Sequence, residues 1–188
     1  MVSIIVATAK NNVIGNKGDI PWLGQLPADM KYFAEKTTGQ AVIMGRTTYL
    51  SIPAKYRPLP NRLNLVLSSS EISDPGVVVF QSLQSAIDYG INQNKEVFIA
   101  GGGSIYVAAL APRLASRSKE ALNGSFQVDR VYRTLIDLEV EGDTFFPELD
   151  AGWQLVSEDR HSKDEKNKFD YSFQIYEPKS DDIERSRY

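Results

Sequence analysis

Several short runs in this chain are apolar almost without a break. Residues 2–7, 41–44, 63–67, 77–80 and 96–100 are rich in Val, Ile and Leu and show little alternation with polar residues. A strand with one face in water alternates, whereas a strand covered on both faces reads as a continuous apolar run, the habit of parallel sheets flanked by helices. Between the runs lie segments of helical character: 27–37, a short stretch after Gly45, 83–89, and 104–110 following three glycines. This alternation predicts an α/β fold with a largely parallel sheet and helices on both faces. Residues 127–137, 153–160 and 169–176 read as strands joined without helices, hence as an antiparallel edge. A length of 188 residues supports one core and is short for two. The segment 113–124 is a charged and polar insertion, and the tail from Pro178 lacks an apolar period. One domain over residues 1–177 and a disordered tail over 178–188 are therefore expected.

Charge and residue usage exclude several functions. The formal net charge is −3, which leaves no broad basic surface for a nucleic-acid partner. With no cysteine and a single histidine, thiol chemistry and thiolate zinc sites are out, no metal site is expected, and a serine triad would have to use His161. His161 sits among charged residues and reads as an exposed side chain on a late strand. The opening apolar run is too short for a membrane span and has no basic flank before it, so a cytoplasmic protein without membrane contact is expected.

Two strand-to-helix junctions carry glycine. One is Val42-Ile43-Met44 followed by Gly45-Arg46-Thr47-Thr48; the other is Val97-Phe98-Ile99-Ala100 followed by Gly101-Gly102-Gly103-Ser104. Helix N-termini attract phosphate because unpaired amides and the helix dipole point positive charge at it, and glycine permits close approach. Neither turn matches the GxGxxG fingerprint or a phosphate-cradling kinase loop, and each alone reads better as a tight turn in which glycine supplies positive φ. Together they fit a pyrophosphate held between two helix ends. Arg46 could meet an additional ribose phosphate or be a surface arginine; Ser68, Ser69 and Ser70 could donate to phosphate or cap a turn.

Leu26-Pro27-Ala28-Asp29-Met30 reads as a helix start with Pro27 at its first position. An acid in a first turn is stabilised by the dipole without any further role, so spacing alone leaves Asp29 evenly divided between structure and function. Met30, Phe33, Ala34 and Thr37 mark the expected buried face, with Asp29 at its edge. A carboxylate beside apolar surface suits a flat ligand bearing adjacent amino and ring nitrogens.

The chain resembles bacterial dihydrofolate reductases. The motifs are Val13-Ile14-Gly15, Ile20-Pro21-Trp22, Leu26-Pro27-Ala28-Asp29, Val42 to Thr48, Arg57-Pro58-Leu59-Pro60-Asn61-Arg62, Gly101-Gly102-Gly103 with Tyr106, and Glu139-Val140-Glu141-Gly142-Asp143-Thr144, in that order from Met1 to about Glu177. The resemblance implies a central eight-stranded, mostly parallel sheet with an antiparallel edge strand. It implies an NADPH-dependent reduction of 7,8-dihydrofolate to tetrahydrofolate, which serves one-carbon and thymidylate synthesis, by a monomer. On matching positions, Asp29 would bind the pterin with Thr134 as its hydrogen-bonding partner, and Trp22 and Tyr106 complete the implied catalytic set. Ile5, Val6, Met30, Phe33, Ile52, Leu59 and Ala100 would surround the substrate, with Arg62 on its glutamate carboxylate. Ala7, Ile14 and Tyr106 would line the nicotinamide, and Gly15 and Ile20 would also contact the cofactor. The rest of NADPH would lie along Gly45, Arg46, Thr47, Thr48, Leu67, Ser68, Ser69, Ala100, Gly101, Gly102, Gly103, Ser104 and Ile105. The family also implies a cis peptide at Gly101–Gly102, a proton arriving through water, and a lid over residues 9–24.

Four departures from the bacterial pattern stand out. Gly24-Gln25 lengthen the segment before Leu26 by two residues; Thr47, Gln81 and Ser104 replace histidine or cations near the ribose phosphate; Tyr32 replaces tryptophan; and the insertion 113–124 has no implied role. Two rival readings are a riboflavin-pathway reductase of the same fold, which would need neither Asp29 with Thr134 nor Arg62, and a non-catalytic folate-binding protein.

Overall fold

The computed structural model describes residues 1–115 and 126–179. The strands are β1 (Val2–Ala9), β2 (Val13–Gly15), β3 (Ala41–Gly45), β4 (Leu63–Leu67), β5 (Val77–Phe80), β6 (Val97–Ile99), β7 (Arg130–Ile136), β8 (Thr144–Phe145), β9 (Trp153–His161) and β10 (Tyr171–Pro178). The helices are α1 (Pro27–Thr37), α2 (Arg46–Ser51), α3 (Leu83–Asn92) and α4 (Gly103–Ala115), with a single tight turn at Ala54–Tyr56. Eight strands form one sheet in the order β5-β4-β3-β6-β1-β7-β10-β9. All pairings are parallel from β5 across to β7, while β10 is antiparallel to both β7 and β9. The architecture is the single-domain α/β sheet with an antiparallel edge that the apolar runs predict.

Those runs are unbroken because both sheet faces are covered. Ile4, Val6, Ala41, Ile43, Val97 and Ile99 point to one face and pack with Ala86 and Ile87 of α3 and with Tyr106 and Ala109 of α4. Val42, Met44 and Val66 point to the other, with Tyr49 of α2 and Phe33 of α1. Ile5, Phe98 and Tyr132 continue that second face under Tyr32 and Phe33. Tyr32 stacks on Phe173 of β10, ring centroids 4.0 Å apart, so the tyrosine at this position serves packing.

Three sequence expectations need adjustment. The short pair β2 and β8 forms a separate two-stranded antiparallel sheet that the apolar pattern does not reveal. Pro178, read as the start of the tail, is the last residue of β10 opposite Trp153, and the Lys179 amide donates to Gly152 O at 2.9 Å. The rest of the tail lies outside the described residues. The insertion begins inside α4, which runs to Ala115, and its remainder also lies outside them.

Candidate active site

The carboxylate is set by the beginning of α1. Pro27 occupies the first helical position, and Leu26 before it supplies no side-chain cap. The Ala28 amide donates instead to Asn167 Oδ1 at 3.0 Å, from the loop between β9 and β10. Asp29 then faces the side-chain hydroxyl of Thr134, which is 2 % exposed on β7 and pairs across the sheet with Ala7 of β1. Burial pushes the Asp29 carboxyl from 3.8 up to about 6, with the Thr134 hydrogen bond partly offsetting it. The Tyr106 hydroxyl donates to Ile5 O at 2.9 Å. Burial, and then the Asp29 charge, raises that phenol far above its ordinary range. Asp29, Thr134, Ile5 and Tyr106 thus converge from α1, β7, β1 and α4.

Around this group the pocket is apolar. Phe33, Ile52 and Leu59 pack with Ala100 against the buried Val42 and Met44. Met30 departs from the sequence expectation: it is 55 % exposed, because the inward side of α1 follows Asp29, Phe33 and the buried Thr37 rather than the methionine. Val6 also points away, into the cluster under α3 and α4, so only its backbone can face the pocket. Arg62 spans from its own segment to the end of α1, donating to Thr37 Oγ1 at 3.2 Å, Ala34 O at 3.3 Å and Pro60 O at 2.8 Å. Among the described residues it has no carboxylate partner, and burial lowers its pKa.

The two glycine turns lie side by side. The Gly45 amide donates to Gly101 O at 2.7 Å, and Gly101–Gly102 is a cis peptide. Gly101 has φ +104°, and a Cβ there would stand 2.9 Å from the Tyr106 hydroxyl; one at Gly45 would stand 2.9 Å from Ile105 Cδ1. The positive φ makes Gly101 a glycine position, whereas at Gly45 a Cβ would need only the end of the Ile105 side chain to move. The amides of Gly103 and Ser104 open α4 and meet no acceptor among the described residues, which is the donor set that a phosphate seeks. Arg46, Thr47 and Ser104 are exposed on the rim, with Thr48 half-buried. Arg46 Nη1 donates to Glu71 O at 3.0 Å. Ser68 turns its hydroxyl into its own loop, 2.6 Å from Ser70 O, and so caps a turn; Leu67 beside it is half-buried, as is Ser69's neighbour Ser68.

The segment between β1 and α1 covers the cleft. Trp22 is 3 % exposed and packs with Ala9, Val13, Leu26, Ile136 and Tyr171, while Ile20 is largely exposed. Half-buried Ile14 and Gly15 belong to β2, which pairs with β8. Asp143 next to β8 latches this segment: its Oδ2 accepts from the Lys17 amide at 2.8 Å, and its own amide donates to Gly15 O at 3.1 Å. The Lys17 amide, and after it the Thr144 hydroxyl, which donates to Oδ1 at 2.9 Å, hold the carboxyl below the usual range. The added Gly24-Gln25 form a turn in which the Gln25 amide donates to Trp22 O at 2.9 Å and Gly24 takes φ +77°; the Lys168 amide then donates to Gln25 O at 2.9 Å. The extra length is absorbed without unseating Trp22.

Sequence reasoning assigned no role to Asp143 or Asn167. Asp143 lies within a quoted motif, which was the available signal; Asn167 had none, since its contact spans 139 residues. His161 stacks on Tyr171 with Nε2 3.0 Å from Asp159 Oδ2, away from this cleft on the edge strand. Among the described residues no helix is long and apolar enough to cross a membrane.

Known proteins can be set beside this geometry. The dihydrofolate reductase family model matches residues 1–178. The chain is 41 % identical over 182 residues to the dihydrofolate reductase of Bacillus subtilis (strain 168), covering 96 % of each. It is 38 % identical to that of Haemophilus influenzae over 174 residues, covering 92 % of this chain and 96 % of the relative. A solved Enterococcus faecalis dihydrofolate reductase, complexed with NADP(H) and RAB-propyl, superposes with a TM-score of 0.77 at 34 % identity, covering 96 % of this chain and 97 % of that one. A lone acid against Thr134, a glycine cradle beside it and a match over nearly the whole length have one reading in common: the chain belongs to the dihydrofolate reductase family.

Proposed function

We propose that this protein reduces 7,8-dihydrofolate to 5,6,7,8-tetrahydrofolate with NADPH, using Asp29 to anchor the pterin. The observation that carries the reading is the Asp29 carboxyl, raised to about 6 in an apolar pocket and hydrogen-bonded to Thr134. Such a group offers a bidentate acceptor to an amino group and adjacent ring nitrogen, whose own positive character offsets the desolvation of the carboxylate. Ile5 O and Ala100 O accept from the same ring, and Tyr106 fixes the Ile5 carbonyl. Phe33, Ile52, Leu59 and Met30 flank the aromatic body of the substrate. The exposure of Met30 suits an apolar side chain at the mouth of a cleft. Arg62, fixed by three hydrogen bonds and without an acidic partner among the described residues, receives the glutamate carboxylate.

The residues present fit the dinucleotide, since Gly101 must be glycine, the Gly45 turn lies directly against it, and the opening amides of α4 meet no acceptor among the described residues. Gly45, Thr47, Thr48, Gly102, Gly103, Ser104 and Ile105 would hold the pyrophosphate; Arg46, with Leu67, Ser68 and Ser69, the adenosine end and its phosphate; Ala7, Ile14, Gly15, Ile20 and Tyr106 the nicotinamide. The bound dihydronicotinamide supplies a hydride. The chain's own work is alignment and proton control. Asp29, partly protonated near neutral pH, favours the protonated pterin, and the proton reaches the ring nitrogen from solvent admitted under the lid that Trp22 anchors. The enzyme acts as a single-domain monomer in the cytoplasm.

Loss of nicotinamide absorbance on mixing protein, NADPH and dihydrofolate tests the proposal, with NADH and a ribosylated pyrimidine in parallel. Oxidation of NADPH only with dihydrofolate is the expected result. No absorbance loss with dihydrofolate, or loss with the pyrimidine alone, refutes it.

A further inference from the structure

Helix α1 carries Asp29 but has no cap of its own. Leu26 offers no side-chain acceptor and Pro27 has no N–H, so the first amide needing a partner is that of Ala28. Its acceptor, Asn167 Oδ1, is 3.0 Å away and comes from the far end of the chain. Asn167 is 7 % exposed and fixed from its other side. Its Nδ2 donates to Asp164 Oδ2 at 2.9 Å, while Asp164 Oδ1 accepts from the backbone amides of Lys166 and Asn167, each at 2.7 Å. The Asp164 amide donates back to Asn167 O at 2.9 Å. The next residue extends the grip, since the Lys168 amide donates to Gln25 O at 2.9 Å, where the lid joins the helix. The loop between β9 and β10 therefore holds both sides of the junction between lid and α1.

We propose that Asn167 is a positioning residue for reduction: a helix cap supplied across the fold that fixes the first turn of α1, and through it the Asp29 carboxyl against Thr134. The proposal rests on the reading of Asp29 as the pterin anchor. Asp29 immediately follows the capped amide, in the turn that frays first when a helix end loses its partner. The groups facing it are Thr134 from β7, Tyr106 from α4 and Tyr32 from its own helix, none of them a cation that could recapture a displaced carboxylate. Fraying therefore carries the acid toward water and away from the pterin.

The test uses the whole enzyme in three forms beside the parent: Asn167→Ala, Asn167→Asp combined with Asp164→Asn, and Asp29→Asn as reference. The exchanged pair keeps the bonding pattern, because the carboxylate at 167 accepts from Ala28 and from the amide at 164, whose oxygen still accepts the two backbone donors. A carboxylate is also favoured at a helix N-terminus. Asn167→Ala should raise the KM for dihydrofolate about five-fold, the factor that a lost cap of ordinary strength implies, and leave the KM for NADPH unchanged. It should also move the pH above which turnover declines downward, toward the ordinary carboxylate range. The exchanged pair should restore the KM. A merely structural asparagine would lower thermal stability and leave both the KM and the pH profile in place, which overturns the proposal. A raised KM that the exchanged pair does not reduce overturns it as well. Normal turnover by Asp29→Asn removes the anchor reading and the proposal together. Collapse of Asp29→Asn with an unaltered Asn167→Ala removes the cap role alone.

Discussion

Replacing Asp29 with asparagine should make the protein more stable and less active at the same pH. The unfolded carboxyl titrates near 3.8 and the folded one near about 6, so the folded state binds the proton more tightly. Below the unfolded value both states are protonated and the acid carries no penalty. As pH rises through the interval the unfolded chain ionises first, and stability falls until the folded carboxyl has also ionised. The displacement corresponds to a ceiling of about 3 kcal/mol, and the half-buried setting reduces the expected effect to about 2 kcal/mol. Asparagine cannot ionise and keeps nearly the same shape. Its stability advantage over the parent should therefore be near zero below about pH 3, open up to about pH 7, and stay flat above that. Urea unfolding of the ligand-free protein with linear extrapolation, repeated across this range, measures the difference. Dihydrofolate turnover at neutral pH should fall by orders of magnitude in the same variant. A stability difference that does not change with pH would refute the burial argument, and undiminished turnover would remove Asp29 from the chemistry.

Three other substitutions probe separate parts of the site. Arg46→Ala should narrow the preference for NADPH over NADH, read as the ratio of kcat/KM values; an unchanged ratio would assign phosphate reading to other groups. Arg62→Lys should raise the dihydrofolate KM about ten-fold by losing a bidentate contact, and should leave a pterin lacking the glutamate unaffected. The Asp143 carboxyl is held low by the Lys17 amide and the Thr144 hydroxyl, so its latch is intact above the usual carboxylate range and lost as pH falls below it. Asp143→Ala should therefore lower the protection factor of the Lys17 amide at neutral pH to the value that the parent shows only in acid.

What could be read from the chain was whatever its local pattern encodes. The bounds of α1 were legible because proline opens it, and β4 and β5 because unbroken apolar runs end in turn residues. The pairing of β2 with β8 was not, since strands of two or three residues have no period to detect. Met30 misled because hydrophobicity marks the inward side of a helix only when that side meets protein. Here the inward line runs through Asp29 and Thr37, both polar. Within the site, the residue types and their order were visible, but what holds them was not. The Asn167 cap crosses 139 residues and leaves no trace near either end, and the accommodation of Gly24-Gln25 depends on a backbone amide that any residue but proline at 168 would supply.

The strand order also has a consequence in time. β1 is the first strand made, yet its partners are β6 and β7, so its edges stay open until residues 97–99 and 130–136 have been synthesised. The run from β3 to β5 can pair with itself much earlier. A chain halted on the ribosome before residue 130 would thus have at most five of the eight sheet strands, the Gly45 turn among them, while Asp29 still waited for Thr134. A folate analogue added to such chains should protect only the finished length from protease, because the two halves of its pocket are born far apart.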